Sequence, residues 1–359
     1  MIENILLIIA TLIIIFLIWK ISDAFQSASS YLGRNLSNGV RGATINAIGS
    51  SAPELLITIV ALFFGVNDVS QYAENFAFGI GASTGSAVFN TIIIPACVIF
   101  SVCLFRCKSG FSVNKKTIKR DGVFLIFTDV VLIILLSFNI LSWYHGAILI
   151  LLYLLYIFIL KKSMSGFSVK GDYDDDLEKK SRFKSFIQFD LRNFIIQSKL
   201  NNKNAIFLLL LSTFLLGVSC FYLIEICNIV AIKYHISTFF MAITLGAIAT
   251  SVPDMVISVR DGLKGEYEDS LSNVLGSNIF DLCIGIGLPV LIFTLINDIS
   301  IDLTGSVIDE YMIELRLFII TSDLLMIFLF LKKIRLRTSL YFIIYYVIFF
   351  ISLVSIMKG

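Results

Sequence analysis

Apolar residues fall in ten long blocks along this chain, at 4–19, 41–64, 75–101, 122–141 and 144–160, then at 204–232, 238–260, 269–296, 315–331 and 339–357. Several blocks approach or exceed the ~20 residues with which an α-helix crosses a bilayer. A polar stretch rich in Lys and Asp, 161–203, divides the blocks into two sets of five. The pattern predicts an all-α membrane protein of ten transmembrane helices: a first five-helix repeat in 1–160, a cytoplasmic loop in 161–203 and a second repeat in 204–359. Within the loop, Phe183, Phe186, Ile187 and Phe189 predict a short amphipathic helix. The loop's acidic run Asp172, Asp174, Asp175 and Asp176 lacks the spacing and the glycine of a calcium-binding loop and reads as solvated charge.

The two halves repeat. A displacement of 200 residues superposes Thr44 on Thr244, Ala47 on Ala247, Ile48 on Ile248, Ser51 on Ser251, Pro53 on Pro253 and Ile57 on Ile257. It also sets Ser50 on Thr250, Glu54 on Asp254 and Thr58 on Ser258. A second pair of motifs follows, Gly85-Ser86-Ala87-Val88-Phe89-Asn90 against Gly276-Ser277-Asn278-Ile279-Phe280-Asp281, and Asp129 and Asp323 occupy matching places in the fourth and ninth blocks. An odd number of spans per repeat turns the second half upside down, the inverted-repeat plan in which broken helices meet at a site near the midplane. The prolines predict the breaks in helices 2 and 7, since each removes a helical hydrogen bond and crowds the carbonyl four residues back, here Gly49 and Ala249.

Charge sets the orientation. All but three of the 28 Lys and Arg residues (Lys233, Arg316 and Lys358) lie on one side of the predicted spans. By the positive-inside bias that side is cytoplasmic, which puts both termini outside the plasma (cell inner) membrane. The start Met1-Ile2-Glu3-Asn4 is not basic and no small-residue cleavage site follows Leu17, so the first block reads as a span rather than a signal peptide. Composition agrees: 57% of residues are hydrophobic and mean hydropathy is +0.91. A net charge of +2 gives no footprint for nucleic acid. The six cysteines show neither metal-finger spacing nor a disulfide framework and read as packing residues. His145 and His235 fall at span ends without catalytic partners nearby.

The candidate chemistry is that of hard oxygen donors. A carboxylate inside a span costs about 2.5–3.5 kcal/mol or more unless it is compensated, so Glu54, Asp254 and Asp281 call for a function. On a helix, positions 47, 50, 51, 54 and 58 share a face, as do 247, 250, 251, 254 and 258, and Ser86 stacks over Asn90 as Ser277 does over Asp281. If these four faces meet, three carboxylates, one amide oxygen and several hydroxyls surround one point. Such a set suits Ca²⁺, which takes 6–8 oxygens at about 2.3–2.6 Å, and can divide into separate Na⁺ sites. Three gathered carboxylates cannot easily all ionise without a cation; protons are expected to compete and flux to fall as pH drops. Asp129, Glu225 and Asp323 are further acids in or near spans and are not placed among the ligands. Gly79, Gly81, Gly85, Gly276, Gly285 and Gly287 predict close helix approaches; no strand and no Walker lysine accompanies them, which excludes a phosphate loop.

These motifs resemble the two alpha repeats of the calcium/cation antiporter superfamily, and within it most closely the potassium-dependent sodium/calcium exchangers, down to the following Gly287-Leu288-Pro289. The resemblance implies a 5 + 5 helical fold and Ca²⁺ export against entering Na⁺ by alternating access, with spans one and six sliding across the core. It makes Glu54 and Asp254 the shared Ca²⁺/Na⁺ carboxylates, gives hydroxyls to Ser50, Ser51, Thr250, Ser251, Ser86 and Ser277, and gives backbone carbonyls to Ala47 and Ala247. It links the acid at Asp281 to K⁺ dependence. No cofactor is implied; the partners are the bilayer and inorganic cations. Ala249 departs from the family's usual glycine, which bears on the bend of helix 7, and the short loop excludes a large calcium-sensing domain. The alternative on the same fold is H⁺-coupled cation antiport, whose relatives carry Gly-Asn-Ala-Ala-Glu where this chain has Ser-Ser-Ala-Pro-Glu. An intramembrane aspartyl protease would need Tyr-Asp and Gly-x-Gly-Asp signatures on adjacent spans, which are absent, and a passive channel needs no inverted repeat.

Overall fold

Helix α1 (Ile2–Leu32) runs well past the first apolar block. Its second half looks polar in sequence, yet Ser22 and Ser29 are buried with Ala24 and Ala28. Ser29 donates back to the Gln26 carbonyl and the half-buried Ser27 to that of Asp23, whereas the Ser22 hydroxyl meets no partner. Hydroxyls satisfied within the helix can be packed like small apolar groups, and α1 continues as one rod alongside the helix that opens the second half. The computed structural model describes residues 2–34, 47–64, 72–138, 140–163, 182–196, 199–304 and 307–356; Thr44 and the acidic run Asp172–Asp176 lie outside them.

The first half continues with the single turn α2 (Ala47–Ser50), α3 (Ala52–Phe64), α4 (Tyr72–Phe105), α5 (Lys115–Leu136) and, after strand β1 (Ile140–Leu141), α6 (Trp143–Ser163). Short helices α7 (Arg182–Ile187) and α8 (Leu191–Ile195) follow, with Phe183 and Ile187 of α7 exposed. In the second half come α9 (Asn202–Tyr234), α10 (Thr238–Met241) and α11 (Ala247–Lys264), the last two joined by the π-helical turn Ala242–Gly246. Next, α12 (Tyr267–Phe280) passes through the π-helical turn Asp281–Gly285 to α13 (Gly287–Asn297). Strand β2 (Ile301–Asp302), α14 (Val307–Phe330) and α15 (Leu336–Ile356) follow.

Among the described residues, seven helical segments are long and apolar enough to cross a membrane: α1, α4, α6, α9, α10–α11, α12–α13 and α15. The blocks at 41–64, 122–141 and 315–331 correspond to α3, α5 and α14, which fall short of that measure. Burial is inverted relative to a protein in water. Leu6, Ile8 and Leu12 of α1, Leu151 and Phe158 of α6, and Ile344 and Ile351 of α15 are exposed, whereas Ser83, Ser86, Asn90 and Thr91 of α4 are fully buried. Apolar surface of that extent matches a hydrocarbon solvent.

The centre is α4, which packs most extensively against α11 and also meets α3, α14 and α15. Gly85 makes this approach possible: a Cβ there would collide with the carbonyl oxygen of Ile243 and come within 2.8 Å of the Ala247 Cβ. Gly287 similarly faces Leu149 Cβ at 2.8 Å, whereas a Cβ on Gly285 would make only ordinary contacts. Two small links tie the ends of the helices. Strands β1 and β2 pair antiparallel, Ile140 with Asp302 and Leu141 with Ile301, and a bridge joins Phe111 to Ile334.

The two prolines act differently. Around Pro53 the helix is interrupted at Ser51, between α2 and α3. Pro53 falls in the first turn of α3, where its missing N–H costs little. The matching break expected at Ala249–Asp254 is absent, because α11 stays helical through Pro253. The irregular backbone lies upstream, in the π-helical turn Ala242–Gly246 against which Gly85 presses. The predicted seventh span is therefore modified before its proline rather than at it. His145 does more than sit at an interface: it is buried and its Nδ1 accepts the Ser142 N–H at 2.9 Å, holding the entry to α6.

Candidate metal centre

Four helices aim their polar faces at one point. Glu54 comes from the first turn of α3, Asp254 from the middle of α11, Ser86 and Asn90 from α4, and Ser277 from α12. Asp281 opens the π-helical turn after α12; such turns add a residue to the helical register and recur where a side chain must be re-aimed. Glu54, Asp254 and Asp281 each offer a carboxylate oxygen, and these atoms all lie within 4.8 Å of one another. All three residues are fully buried, and among the described residues no salt bridge reaches them.

Hydroxyls knit the acids together. Ser86 donates to Glu54 Oε1 at 3.2 Å and to Asp281 Oδ2 at 3.4 Å, and shares a 2.8 Å hydrogen bond with Ser251. Ser251 in turn reaches Glu54 Oε1 at 3.5 Å. On the other side Ser277 donates to Asp254 Oδ1 at 2.8 Å and lies 3.4 Å from the Ser50 hydroxyl. Thr250 lies beside Glu54, Ser51 beside Asp281 and Asn90 beside Asp254. The carbonyl of Ala47 accepts from Ser50 at 3.3 Å, and that of Ala247 accepts from Thr250 at 3.3 Å. The fold thus brings together the acids, the amide and the hydroxyls that the sequence singled out, and places both alanines on the same helical turns.

One oxygen of each acid (Glu54 Oε2, Asp254 Oδ2 and Asp281 Oδ1) meets no hydrogen-bond donor, nor does the Asn90 carbonyl oxygen. Buried acceptors left this way are costly, and three buried carboxylates without a counter-charge are costlier still. The donor set is all oxygen, with no thiolate or imidazole among the three clustered acids. It matches hard cations such as Ca²⁺ and Na⁺, and the residues fit such a cargo ion.

Sequence reasoning overlooked part of the surroundings. Asn273 donates to Asp254 Oδ1 and to Ser258 Oγ, both at 3.3 Å. It stands one turn before Ser277 on α12, so helical spacing alone could have found it. Asn278 donates to the Ala87 carbonyl at 3.0 Å, pinning α12 to α4. Thr58, already placed on the Glu54 face by the sequence, pairs with Ser83 at 3.4 Å and donates to the Glu54 carbonyl. Glu225 stands apart, lining a cleft with Glu74, Asn75, Asn228 and Thr238.

Comparison with known proteins gives the family. The profile of the family described as "Sodium/calcium exchanger protein" matches residues 6–162 and 204–354. Sodium/potassium/calcium exchanger 3 of Rattus norvegicus is 35% identical over 127 residues, 35% of this chain and 18% of that protein; the chain thus spans less than a fifth of that relative's length. The putative antiporter CaxA of Alkalimonas amylolytica is 27% identical over 281 residues, 78% of each chain. Among solved structures, the sodium-calcium exchanger NCX_Mj superposes with a TM-score of 0.58 at 22% identity, over 96% of this chain and 97% of that one. Native YfkE superposes with a TM-score of 0.65 at 15% identity, over 99% and 92%. With most of both halves matched by the family profile, the chain belongs to the sodium/calcium exchanger family within the calcium/cation antiporter superfamily, a family of multi-pass membrane ion transporters rather than enzymes.

Proposed function

We propose that this protein exchanges Na⁺ for Ca²⁺ by alternating access, extruding Ca²⁺ from the cytoplasm, with K⁺ as a candidate co-transported ion. The observation that carries the reading is the knot of Glu54, Asp254 and Asp281, three fully buried acids with ligand atoms within 4.8 Å of one another. In this reading the three carboxylates, Asn90 and the hydroxyls of Ser50, Ser51, Thr250, Ser251, Ser86 and Ser277 hold the ions, with the carbonyls of Ala47 and Ala247 completing the shell. Loss of two or more Na⁺ leaves the same oxygens for one Ca²⁺, so the two ions compete and cannot be bound together.

The architecture in this reading is ten spans in two inverted repeats, 1–160 and 204–359, joined by the cytoplasmic segment 161–203, with both termini outside a plasma membrane. Paired contacts support it. Helix α1 lies along α9, α5 packs on α14, and the packing of α6 on α13 is answered by that of α15 on α4. The link β1–β2 is answered by the bridge Phe111–Ile334. The acidic cleft with Glu74 and Glu225 lies at the ends of α3 and α4 assigned to the outside and is suited to collecting cations there.

The test is radiolabelled Ca²⁺ uptake into proteoliposomes with Na⁺, K⁺ and H⁺ gradients imposed separately. An outward Na⁺ gradient is expected to drive uptake. Uptake driven by a pH gradient and indifferent to Na⁺ would replace this reading with H⁺-coupled antiport, and uptake that needs no counter-ion would replace it with a channel. Added K⁺ is expected to stimulate Na⁺-driven flux, and Asp281→Asn to remove that stimulation. Stimulation left intact in the variant would take the K⁺ role away from Asp281.

A further inference from the structure

Asp129 and Asp323 form a second acidic centre that the ion site does not use. Asp129 lies on α5 and Asp323 on α14, helices that pack so closely that a Cβ on Gly122 would come within 2.7 Å of Ile327. Each residue is 1% exposed, and their carboxyl groups lie within hydrogen-bonding reach of each other. None of the four carboxyl oxygens accepts a well-formed hydrogen bond, although the Thr91 hydroxyl stands beside Asp323. The neighbouring hydroxyls are committed elsewhere. Thr91 donates to the Ala87 carbonyl at 2.9 Å and to Ser322 at 3.1 Å. Ser322 donates to the Ile319 carbonyl at 2.7 Å, and Thr128 to that of Phe124 at 3.0 Å.

Among the described residues, the other titratable groups facing the pair are Cys283, from the π-helical turn after α12, on the Asp129 side, and Tyr345, from α15, on the Asp323 side. The Tyr345 hydroxyl is engaged with the Phe318 carbonyl and with Thr321. Among the described residues no Lys, Arg or His forms a salt bridge with either aspartate. Two bare carboxylates in contact, shielded from water and without a counter-charge, would repel strongly. One proton removes the repulsion and supplies the missing donor, because a carboxylic acid O–H can donate to the facing carboxylate.

We propose that Asp129 and Asp323 are a proton-binding site, separate from the cation site, in which one shared proton clamps α5 to α14. At neutral pH the centre is one carboxylic acid hydrogen-bonded to one carboxylate, with a net charge of −1. As pH rises the shared proton leaves, two adjacent anions remain and the clamp fails. The centre therefore contributes stability at lower pH that is lost on the alkaline side.

Infrared difference spectra and thermal melts of the purified full-length protein test this. Wild type minus Asp129→Asn at neutral pH is expected to show a protonated-carboxyl C=O band, and wild type minus Asp323→Asn the same band. The amide in either variant donates its N–H to the remaining carboxylate, so both are expected to fold and to lose the alkaline fall in melting temperature that wild type shows. Asp129→Ala, which leaves Asp323 without a donor, is expected to melt well below Asp129→Asn. A difference spectrum with carboxylate bands only would overturn the proposal, as would a protonated band that appears only when Na⁺ and K⁺ are removed, which would make the ligand a monovalent cation. Failure of both amide variants to fold would overturn it too, since the amide supplies the hydrogen bond that the shared proton is held to make.

Discussion

Glu54→Gln is expected to reduce Na⁺-driven Ca²⁺ uptake by at least a hundredfold while the protein stays folded. Glu54 meets Ser86 and Ser251 through Oε1 and leaves Oε2 without a donor. The glutamine keeps the size and one acceptor but removes a full negative charge from a buried cluster. Losing one partner of a buried charge interaction costs roughly 3–5 kcal/mol, and each ~1.4 kcal/mol is tenfold in affinity. Stability should move the other way. Without bound cation the variant has two clustered carboxylates in place of three, so its melting temperature in chelator is expected to match or exceed that of wild type. The upward shift that Ca²⁺ gives wild type by binding the folded state is expected to vanish. Melts with and without Ca²⁺, run beside the flux assay, check both halves; a variant that Ca²⁺ still stabilises fully would remove Glu54 from the ligand set.

Gly85→Ala is expected to do comparable damage by another route. The added methyl would collide with the Ile243 carbonyl and approach the Ile243 Cα and the Ala247 Cβ, both at 2.8 Å. Two of these three are backbone atoms, which cannot rotate away. Overpacking of a tight interface costs typically about 1–3 kcal/mol, and relief requires α4 to move off α11. That movement would separate Ser86 from Ser251, now 2.8 Å apart, and spread the oxygens over which an ion must be shared. A lower melting temperature together with at least tenfold weaker Ca²⁺ affinity is expected. Gly217→Ala is the control: nothing lies within 4 Å of its added methyl, and relief of glycine's helix penalty should leave stability equal or higher by up to about 1 kcal/mol. Equal behaviour of the two variants would show that the α4–α11 approach does not govern the site.

The polar residues at the centre were largely legible because they appear twice. A carboxylate next to a proline inside one apolar block could be an accident of packing, but Glu54 and Asp254 in register with matching hydroxyls could not easily be two. Where the mirror is missing, the reading failed. Asn273 has Ala82 at its counterpart position when Ser277 is set against Ser86, so the repeat gave no reason to select it, although it donates to Asp254. The proline in each half suggested two equivalent breaks. Only tertiary contact distinguishes a proline in a first helical turn, as at Pro53, from one inside a longer helix, as at Pro253. Asp129 and Asp323 were noticed as a matched pair, but nothing local to either says that they face each other.

What the sequence determined by itself were properties that belong to single helices and to their composition: which blocks prefer hydrocarbon, which faces carry oxygen, where the basic residues collect. These follow from transfer free energies and the helical period, which need no partner. What only the tertiary structure decided were relations between residues far apart in the chain: that Ser86 lies between Glu54, Ser251 and Asp281, that Asn278 pins α12 to α4, and that two aspartates on α5 and α14 meet without a donor. Such relations depend on how helices cross, and crossing is set by small residues such as Gly85 and by π-helical turns that shift a face by a fraction of a turn. A change of that size leaves the hydrophobic pattern unaltered and still determines which carboxylates come together.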